Sequence, residues 1–598
     1  MSTNLLSTNR RHILTVNLED YFQVGSLSGV VSQKYWDRFD TRVEQNTLAT
    51  LDLLDQHGAK ATFFTVGWIA DQAREVVAEV ARRGHEVASK GYLHRSIAQM
   101  SPEEFREDAV RSRVALERAC GHEVRGYRIA RGWFSKRDLW ALDVLAAEGF
   151  LYDSSLRPIG RVNGLDPQER VLHCRRTKHA DIWALPTSSW WTCGFSLPIS
   201  GGNYMRQLPH GFIRRRLEAW DRSVDAPLIL YFHVWELDPD QPRIGAAPWL
   251  ERVRHYRNLE CMRDRIDYYL SRYSVTRASD FLDLQLKPVT AKPDCTTVEV
   301  RPIAASSVRE EITIVVPCFN EVSSLPFLKR TLALFEKNHS HQYKMFFIFV
   351  DDGSTDQTFE HLSNAFGARD NCDVVRHAQN RGVAAATMTG IRQSNTEKVC
   401  VIDCDCSYDI GHLARFVPLL EDGVDLVTAS PYHRDGDVLN VPSWRISLSR
   451  GASLLYRMVL NTRLATYTAC FRVYRRSAVV DLQISNESFL GITEILALMD
   501  LQGLRIVECP AVLEPRLFGQ SKMKVLLTIV GHLRLLRKLA LRSAFGKGRR
   551  PVVSGLASPD RYHAPGWSVG GAPQGTIAAG RTDVFELRSQ SHAEEWRR

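Results

Sequence analysis

The sequence has few of the features that mark secreted, membrane-spanning or disulfide-linked proteins. Its twelve cysteines include no Cys-x-x-Cys pair and are scattered, which favours a reducing compartment. No apolar run approaches the roughly 18 to 20 residues that a membrane-spanning helix needs. The first twelve residues contain no apolar core long enough for a signal peptide. We therefore expect a cytoplasmic protein.

The charge balance argues against one class of partner. A formal net charge of +9 is modest for 598 residues, and no segment interleaves basic with aromatic residues as a nucleic-acid-binding surface would. Nucleic-acid binding is therefore not expected. The apolar fraction of 44% and the charged fraction of 24% are ordinary for globular protein, and the length predicts two large domains.

The most informative stretch is a buried strand that ends in two carboxylates. In VCVIDCDCSYD, residues 399–409, β-branched residues lead to Asp403 and Asp405, which fall on one face of an extended chain. Two such carboxylates can hold one divalent cation, and the carboxyl ends of strands are where open α/β sheets bind ligands. Asp-x-Asp alone is common, so an ordinary acidic loop is the alternative.

Neighbouring segments repeat this pattern. EITIVVPCFNE (311–321) is an apolar strand that ends in a polar turn, and MFFIFVDDGSTDQT (345–358) does the same with more carboxylates. NRGVAAATMTGI (380–391) opens with a glycine turn and continues as a helix of small residues. Strands that alternate with helices at this spacing predict a parallel sheet with crossover helices, whose polar strand ends meet at one edge.

This half of the chain, 311–541, resembles a family 2 glycosyltransferase with the GT-A nucleotide-sugar fold, close to the polyprenyl-phosphate sugar synthases. The matching residues are VVPCFNE, VDDGSTDQT, NRGVAAATMTGI, the Asp403 and Asp405 pair, YTACFRVYRR (467–476), Glu494 and RLFGQSK (516–522). The resemblance implies a Rossmann-like α/β domain over 310–545. It also implies transfer of a sugar from a UDP- or GDP-sugar to a lipid phosphate or a saccharide.

The resemblance assigns roles to individual residues. Those implied in nucleotide-sugar binding are Pro317, Asn320, Glu321, Asp351, Asp352, Asn380 and Gly382. Asp403 and Asp405 would hold Mg²⁺ or Mn²⁺ on the diphosphate. The chemistry agrees, because a hard, oxygen-bound cation neutralises the charge that develops on a diphosphate leaving group. Arg516 and Lys522 would add positive charge near the leaving phosphate or an acceptor phosphate.

Two positions bear on the acceptor. Lipid-phosphate members of the family often carry Gln two residues after the second Asp, where this chain has Ser407, so a third metal contact is left open. Glu494 is the candidate base if the acceptor is a sugar hydroxyl, because a hydroxyl must lose a proton on attack. A phosphate acceptor is already anionic and needs no base. The alternative for Glu494 is a structural carboxylate on a helix.

The amino-terminal half also alternates strands with helices. HILTVNLEDYF (12–22) ends in Glu19 and Asp20, and the same rhythm continues as far as LILYFHVWELDPDQPR (228–243). Repeated strand-helix units with polar strand ends predict an α/β domain of barrel-like type over 1–286.

These residues carry a second resemblance, to a carbohydrate esterase family 4 polysaccharide deacetylase of the branch found beside exosortase and exopolysaccharide systems. The matching segments are LEDYF, HEVAS-x-GYLH, GYR, YDSS, SGGNYMRQLP, HVWELDPDQPR and RHYRNLECM. In active relatives an Asp and two His bind a metal whose water attacks the acetamide carbonyl. The resemblance thus assigns Asp20 and His94 to a metal such as Zn²⁺, and Glu19 and His233 to catalysis.

The sequence departs from this family at the metal site. Lys90 stands where the family has its first metal-binding His, and a protonated ammonium cannot donate to a cation. Asn17 replaces the Asp that opens DVEDYF, and RIAR (128–131) replaces an R-A-P-like segment. Because catalytic metal sites usually need three protein ligands, we expect an impaired deacetylase. The charge of Lys90, beside Glu19, would then replace that of the metal, and the domain would bind an N-acetyl sugar without hydrolysing it.

Three further segments lie outside these motifs. Residues 287–309 are rich in Pro, Thr and Ser and are predicted to be a linker, and 546–598 are predicted to be a disordered tail. Residues 524–542 combine apolar positions with Arg and Lys, which is typical of a helix that lies on a membrane surface, here the inner face of the plasma membrane. A helix that packs on its own domain is the alternative.

The function expected from the sequence is therefore sugar transfer in cell-surface glycan or exopolysaccharide synthesis. One alternative is a bifunctional enzyme that also removes acetyl groups from an amino sugar with a metal ion. Another is a glycan-binding scaffold with both sites inactive. The carboxylates of Asp351, Asp352, Asp403 and Asp405, together with Arg516, argue against the scaffold.

Overall fold

The computed structural model describes residues 10–156, 167–192, 195–289, 309–421, 423–519 and 525–545. All of them belong to one compact unit that spans residues 1–556. Most of the predicted linker and the whole predicted tail lie outside these ranges, so both remain predictions.

The amino-terminal half is built on a nine-stranded sheet. The strands of this half are Arg11–Leu18 (β1), Thr62–Thr65 (β2), Glu86–Ser89 (β3), Gly126–Tyr127 (β4), Tyr152–Asp153 (β5), His173–Arg176 (β6), Asp181–Ala184 (β7), Ser189–Thr192 (β8), Phe195–Pro198 (β9), Ile229–His233 (β10) and Ser274–Thr276 (β11). The sheet order is β10-β1-β2-β3-β4-β5-β7-β6, with β11 beside β1, and β8 and β9 form a separate hairpin. The path of the described strands does not close, so the predicted barrel-like domain is a half-barrel.

Helices cover this sheet, as the alternating pattern predicts. They are Val43–Gln56 (α1), Gly67–Gln72 (α2), Arg74–Arg82 (α3), Pro102–Cys120 (α4), Trp140–Ala147 (α5), Gly202–Gln207 (α6), His210–Ser223 (α7), Trp249–Tyr256 (α8), Met262–Arg272 (α9) and Ala278–Phe281 (α10). The sequence specifies the ends of α4 locally. Ser101 and Glu104 form a capping box at its start, and Gly121 ends it with a φ of 74°.

The second half is built on a seven-stranded sheet. The strands of this half are Glu310–Cys318 (β12), Tyr343–Asp351 (β13), Cys372–Arg376 (β14), Lys398–Val401 (β15), Leu426–Ser430 (β16), Asp437–Val438 (β17), Arg472–Arg475 (β18), Ile506–Pro510 (β19) and Val512–Leu513 (β20). The order is β14-β13-β12-β15-β18-β16-β19, and β18 is antiparallel to both neighbours while the other pairs are parallel. The predicted parallel sheet is thus present, and β12, β13 and β15 end at one edge.

Eight helices accompany these strands among the described residues. They are Leu325–His339 (α11), Thr358–Phe366 (α12), Val383–Gln393 (α13), Leu413–Phe416 (α14), Ser443–Val459 (α15), Arg476–Val479 (α16), Phe489–Leu501 (α17) and Val525–Phe545 (α18). The small residues of α13 let it pack directly on β12. At Gly390 an added Cβ would lie 2.3 Å from Val315 Cγ1, so a larger residue would push this helix off the sheet.

The predicted basic helix is observed as α18, and it contacts its own domain. Leu535, Leu536 and Leu539 are buried in the core of the second half, whereas Val530 and Leu533 are exposed. The helix therefore packs on its own domain with one face and exposes apolar side chains on another. No helix in the described part of the chain is long and apolar enough to cross a membrane.

Candidate functional site

The carboxylate pair follows β15, as the sequence predicts. Burial raises the pKa of Asp403 to about 7, and the nearby charge of Asp405 acts in the same direction. The neighbouring Cys470 thiol acts in the opposite direction and lowers the pKa of Asp403. Two neighbouring like charges favour a neutralising cation, and the oxygen donors suit Mg²⁺ or Mn²⁺.

This donor set fits a metal that completes its coordination with phosphate. Within the described ranges, no group of three or more His, Cys, Asp or Glu side chains is arranged to hold a metal ion. Mg²⁺ commonly uses one or two protein carboxylates and takes its other ligands from water and substrate phosphates. Asp403 and Asp405 fit such a cation, which would take its remaining ligands from water and substrate phosphate.

Arg516 brings positive charge to the same carboxylates. Its guanidinium forms an ion pair with Glu321, and its Nη1 lies 3.7 Å from Asp405 Oδ2. Its Nε donates to the carbonyl oxygen of Phe518 at 2.7 Å, which fixes the plane of the guanidinium. Lys522, predicted beside it, lies outside the described residues.

A cavity of about 860 Å³ opens next to these charges. Asp403, Asp405 and Arg516 contribute its polar part. Residues of α15 and α18, among them Leu455 and Leu533, contribute apolar wall. We call this space the interhelical cavity. It combines a site for a charged group with an apolar channel, which is the form expected for an amphiphilic ligand.

The predicted nucleotide-binding carboxylates have different surroundings. Asp352 is buried, and its carboxylate accepts hydrogen bonds from Asn380 Nδ2 at 3.0 Å, the Arg381 amide at 3.0 Å and the Gly382 amide at 2.7 Å. His377 Nδ1 also lies 2.7 Å from it. Asp352 therefore holds the glycine turn in place, and a direct contact with a nucleoside stays a prediction.

The ends of β12 and β13 lie at the same edge of the sheet. Asp351 is fully buried at the end of β13, with Arg376 Nε 3.2 Å from its Oδ2. Pro317 and Val350 are paired in register on the adjacent strands. The Oδ1 of Asn320 accepts a hydrogen bond from the Thr355 amide at 2.7 Å. The structure thus brings the predicted strand ends together, as parallel order requires.

Glu494 lies within α17 and is not among the residues that line the interhelical cavity. It is 1% exposed, and its Oε2 accepts hydrogen bonds from the Ser485 amide at 3.1 Å and the Asn486 amide at 2.8 Å. Lys538 Nζ of α18 lies 3.6 Å from its other oxygen. These contacts support the structural alternative for Glu494, and the role of a base stays a prediction.

The predicted deacetylase residues form a closed cluster. Glu19 is 2% exposed and Lys90 is 3% exposed, and the two form an ion pair. His94 Nε2 lies 2.9 Å from Glu19 Oε2, and His233 Nε2 lies 3.3 Å from Glu19 Oε1. Burial would raise the pKa of Glu19, but Lys90 and the two histidines outweigh it and lower the pKa. The Lys90 ammonium therefore neutralises the Glu19 carboxylate, as a metal cation bound there would.

Asp20, the predicted metal ligand, belongs to a different set of contacts. Its carboxylate accepts hydrogen bonds from Thr41 Oγ1 at 2.6 Å, the Arg42 amide at 3.0 Å and the Tyr21 amide at 2.9 Å. The structure does not bring Asp20 to His94 through any described contact. In this cluster Lys90 is a cation and Glu19 is already ion-paired with it, so a catalytic zinc site with three free ligands does not fit these residues.

Sequence reasoning missed part of the interhelical cavity. The amphipathic pattern SWRISLSRGASLLYRMV of α15 was available as a signal, because apolar and basic residues alternate at helical spacing. Gly245 and Ala246 also line the cavity, although they belong to the first half of the chain. No local pattern could have indicated that contact, since it depends on how the two halves pack.

The fold and this site define a GT-A glycosyltransferase. Three family models match the chain. "Polysaccharide deacetylase" matches residues 34–148, a domain of unknown function matches 154–283, and "Glycosyl transferase family 2" matches 313–482.

Three curated proteins are similar to part of this chain. An uncharacterized glycosyltransferase of Mycobacterium bovis is 31% identical over 215 residues, which cover 36% of this chain and 90% of that protein. An undecaprenyl-phosphate 4-deoxy-4-formamido-L-arabinose transferase of Serratia proteamaculans is 28% identical over 274 residues, covering 44% and 80%. A dolichol-phosphate mannosyltransferase of Pyrococcus furiosus is 25% identical over 223 residues, covering 36% and 59%, so the chain spans less than two thirds of that relative.

Two solved structures are similar to part of this chain. A protein of Mycobacterium smegmatis described as a polysaccharide deacetylase has a TM-score of 0.32 and 19% identity, covering 49% of this chain and 99% of that one. Glucosyl-3-phosphoglycerate synthase of Mycobacterium tuberculosis, solved with Mn²⁺ and UDP, has a TM-score of 0.30 and 17% identity, covering 43% and 86%. The chain belongs to glycosyltransferase family 2 and carries a polysaccharide deacetylase domain in its first half.

Proposed function

We propose that this protein transfers a sugar from a nucleoside diphosphate sugar to a lipid phosphate. The observation that carries the proposal is the interhelical cavity, where two carboxylates and a guanidinium lie beside the apolar walls of α15 and α18. A saccharide acceptor would need polar walls that hydrogen-bond its hydroxyls, whereas a lipid phosphate combines one anionic group with a long apolar chain. The names of the Serratia and Pyrococcus relatives support the same acceptor class.

The donor would bind at the strand ends of β12 and β13, near Asp351. Asp403 and Asp405 would hold Mg²⁺ or Mn²⁺, which when bound neutralises the charge that develops on the leaving diphosphate. In the transfer, the bond between the anomeric carbon and the diphosphate oxygen breaks. Its electron pair leaves with the nucleoside diphosphate, and an acceptor phosphate oxygen forms the new bond to that carbon.

Arg516 would orient the reacting phosphate. Its guanidinium is held at the cavity by Glu321 and by the Phe518 carbonyl, and a planar guanidinium binds phosphate oxygens in pairs. A phosphate acceptor enters already ionised, so no base needs to face the cavity. The enclosed position of Glu494 is consistent with this requirement.

The lipid acceptor implies contact with a membrane surface. Large apolar side chains are exposed on both cavity helices, and they are Trp444, Leu448, Leu454 and Met458 on α15 and Ile529, Val530, Leu533 and Leu541 on α18. Arg450, Arg534 and Arg542 lie on the same helices. Apolar residues accompanied by basic ones favour the interface of an anionic bilayer. The protein would therefore take its acceptor at the membrane surface.

The first half would contribute no hydrolysis. The ion pair between Lys90 and Glu19 fills the position of a metal, and the cluster is nearly closed to solvent. A bifunctional enzyme would need three free ligands and access for an acetylated sugar. We therefore propose that this domain does not deacetylate.

The test is transfer by the purified full chain with Mn²⁺ and radiolabelled UDP- and GDP-sugars. Undecaprenyl phosphate and N-acetylglucosamine oligomers serve as competing acceptors. We expect label in the organic phase with undecaprenyl phosphate, and loss of that label in Asp403→Ala. The matched control is Asp370→Ala, which removes an exposed carboxylate of the same half. Label on the oligomers alone would assign a saccharide acceptor, and no label on either acceptor would contradict the proposal.

A further inference from the structure

The segment Leu513 to Gly519, which carries Arg516, lies between the two halves of the chain. We call it the arginine segment. On one side it contacts the carboxylates of the transferase, because Arg516 pairs with Glu321 and lies near Asp405. On its other side it contacts the deacetylase domain. This position makes the first half a candidate for holding the arginine in place.

Polar side chains of the first half bind the start of the arginine segment. Tyr35 Oη donates to Glu514 Oε1 at 2.6 Å, and Lys34 Nζ donates to the same oxygen at 3.0 Å. Arg38 Nη2 donates to Asp409 Oδ1 at 2.9 Å, four residues beyond Asp405. Tyr35 is buried and Glu514 is half-buried, so the bond between them is partly shielded from water.

Backbone and apolar contacts bind the end of the arginine segment. The Gly245 amide donates to the Leu517 carbonyl oxygen at 2.7 Å. Leu517 and Phe518 are buried in the same hydrophobic cluster as the residues of the first half. The Phe518 ring lies 6.0 Å from that of Phe39 and 5.9 Å from that of Phe327. The arginine segment is thus fixed on both sides of Arg516 from outside its own sheet.

Residues of the deacetylase motifs hold in place the stretch of the first half that contacts the arginine segment. Asp20, from LEDYF, accepts hydrogen bonds from Thr41 Oγ1 and the Arg42 amide, and so holds the stretch that contains Tyr35 and Phe39. Asp238, from HVWELDPDQPR, accepts two hydrogen bonds from the Arg42 guanidinium at 3.0 and 2.9 Å. Two motifs that the transfer reaction does not use therefore meet at the interface.

We propose that the deacetylase domain is a structural part of the transferase site, in which Tyr35 and Arg38 are positioning residues for Arg516. This inference rests on the proposed function of the second half. Glu321 and Asp405 attract the guanidinium of Arg516 whether or not it is aligned with a phosphate. In this proposal, the contacts from the first half to the arginine segment hold the guanidinium in one position. A displacement of about 1 Å at such a group can lower a rate by about a hundredfold.

The test uses the full chain with the double variant Tyr35→Phe and Arg38→Gln. We expect kcat/KM for the acceptor to fall by about tenfold to a hundredfold, which is the effect of displacing the guanidinium by about 1 Å. The KM for the donor should change by less than about twofold. Arg38→Lys keeps a donor for Asp409 and should retain most activity. The matched control pairs Tyr268→Phe with Arg82→Gln, on the first half. A merely structural loss would lower donor and acceptor parameters together.

Hydrogen exchange gives a readout that needs no activity. Peptides that cover the arginine segment should exchange faster in the double variant than in the control pair, because the hydrogen bond from Tyr35 to Glu514 is lost. Unchanged exchange, or faster exchange with unchanged acceptor kcat/KM, would overturn the inference. If the wild-type chain transfers no sugar, the proposed function fails, and exchange still decides whether the first half holds the segment. Should the double variant not fold, Tyr35→Phe alone is measured in the same way.

Discussion

The two halves of this chain place carboxylates at strand ends in the same manner, yet the results differ. In the second half, Asp403 and Asp405 face a cavity, with Arg516 3.7 Å from Asp405, and we propose that a divalent cation neutralises the remaining negative charge. In the first half, Glu19 already has its counter-charge in Lys90. The comparison suggests that carboxylates at strand ends are candidates for cation binding where the protein does not bury an ammonium against them.

Burial separates the halves in the same way. The side chain of Asp405 is 20% exposed beside the interhelical cavity, whereas that of Lys90 is 3% exposed. A buried pair of charges is stable as a pair and strongly unstable when one partner is removed. Substitution of a partly exposed carboxylate such as Asp405 should cost less folding stability, but it should weaken ligand binding more. The following predictions test this contrast, from the largest effect to the smallest.

Removal of Lys90 should have the largest effect on stability. In Lys90→Met the carboxylate of Glu19 remains buried without its counter-charge, and we expect a loss of about 3 to 5 kcal/mol in the free energy of unfolding. Urea denaturation of the full chain measures it. Lys178→Met, at an exposed lysine of the same half, is the control. A loss equal to that of the control would mean that the pair does not stabilise the fold.

Removal of Arg516 should act on transfer and little on folding. Arg516→Ala leaves a cavity wall without its guanidinium, and we expect kcat/KM to fall by about a hundredfold to a thousandfold, as for loss of a preorganised donor to a charged transition state. Arg516→Lys should recover part of it, because the charge returns without the planar fork. Full activity in Arg516→Ala would remove this residue from the site.

Acid should weaken the first half through Glu236. Burial raises the pKa of this carboxyl, but Arg206 and His233 outweigh it and lower the pKa to about 2. A lowered folded-state pKa contributes stability that is present above the ordinary value near 4.5 and is lost as the pH falls toward 2. Thermal unfolding between about pH 5 and pH 3 should therefore depend less on pH in Glu236→Gln than in the wild type. The control, Glu103→Gln, should keep the wild-type slope.

The smallest effect on catalysis is expected at Glu494. Because its carboxylate binds the 485–486 turn rather than the cavity, Glu494→Gln should change kcat by less than about threefold, well short of the hundredfold or more contributed by a general base. The amide nitrogen can no longer accept a hydrogen bond, so a fall in melting temperature is expected with it. A hundredfold loss of kcat with unchanged stability would restore the role of a base.

Local pattern predicted the sheet of the second half well. The apolar strands with carboxylates at their ends appear as β12, β13 and β15, because burial and strand periodicity leave a direct signal in the sequence. The position of Asp403 beside Asp405 follows from the same signal. The two families were also recognised, since their motifs are short and lie at strand ends.

Side-chain partners were harder to predict. Asp352 binds the glycine turn, Glu494 binds a neighbouring turn and Asp20 binds Thr41, and each of these partners is set by tertiary packing. A motif match predicts that a carboxylate lies at a strand end, but it does not predict which groups donate hydrogen bonds to that carboxylate. The contact of Gly245 with Leu517 is further from prediction, because it joins residues more than 250 positions apart.

The most direct measurement is the zinc content of the full chain, purified with zinc present, beside its Lys90→His variant. The account predicts no bound zinc and no acetate release from N-acetylglucosamine oligomers for the wild type. It predicts bound zinc in the variant, because an imidazole that can bind zinc replaces the ammonium at position 90, next to His94. Stoichiometric zinc with acetate release in the wild type would contradict it, because the first half would then be a working deacetylase.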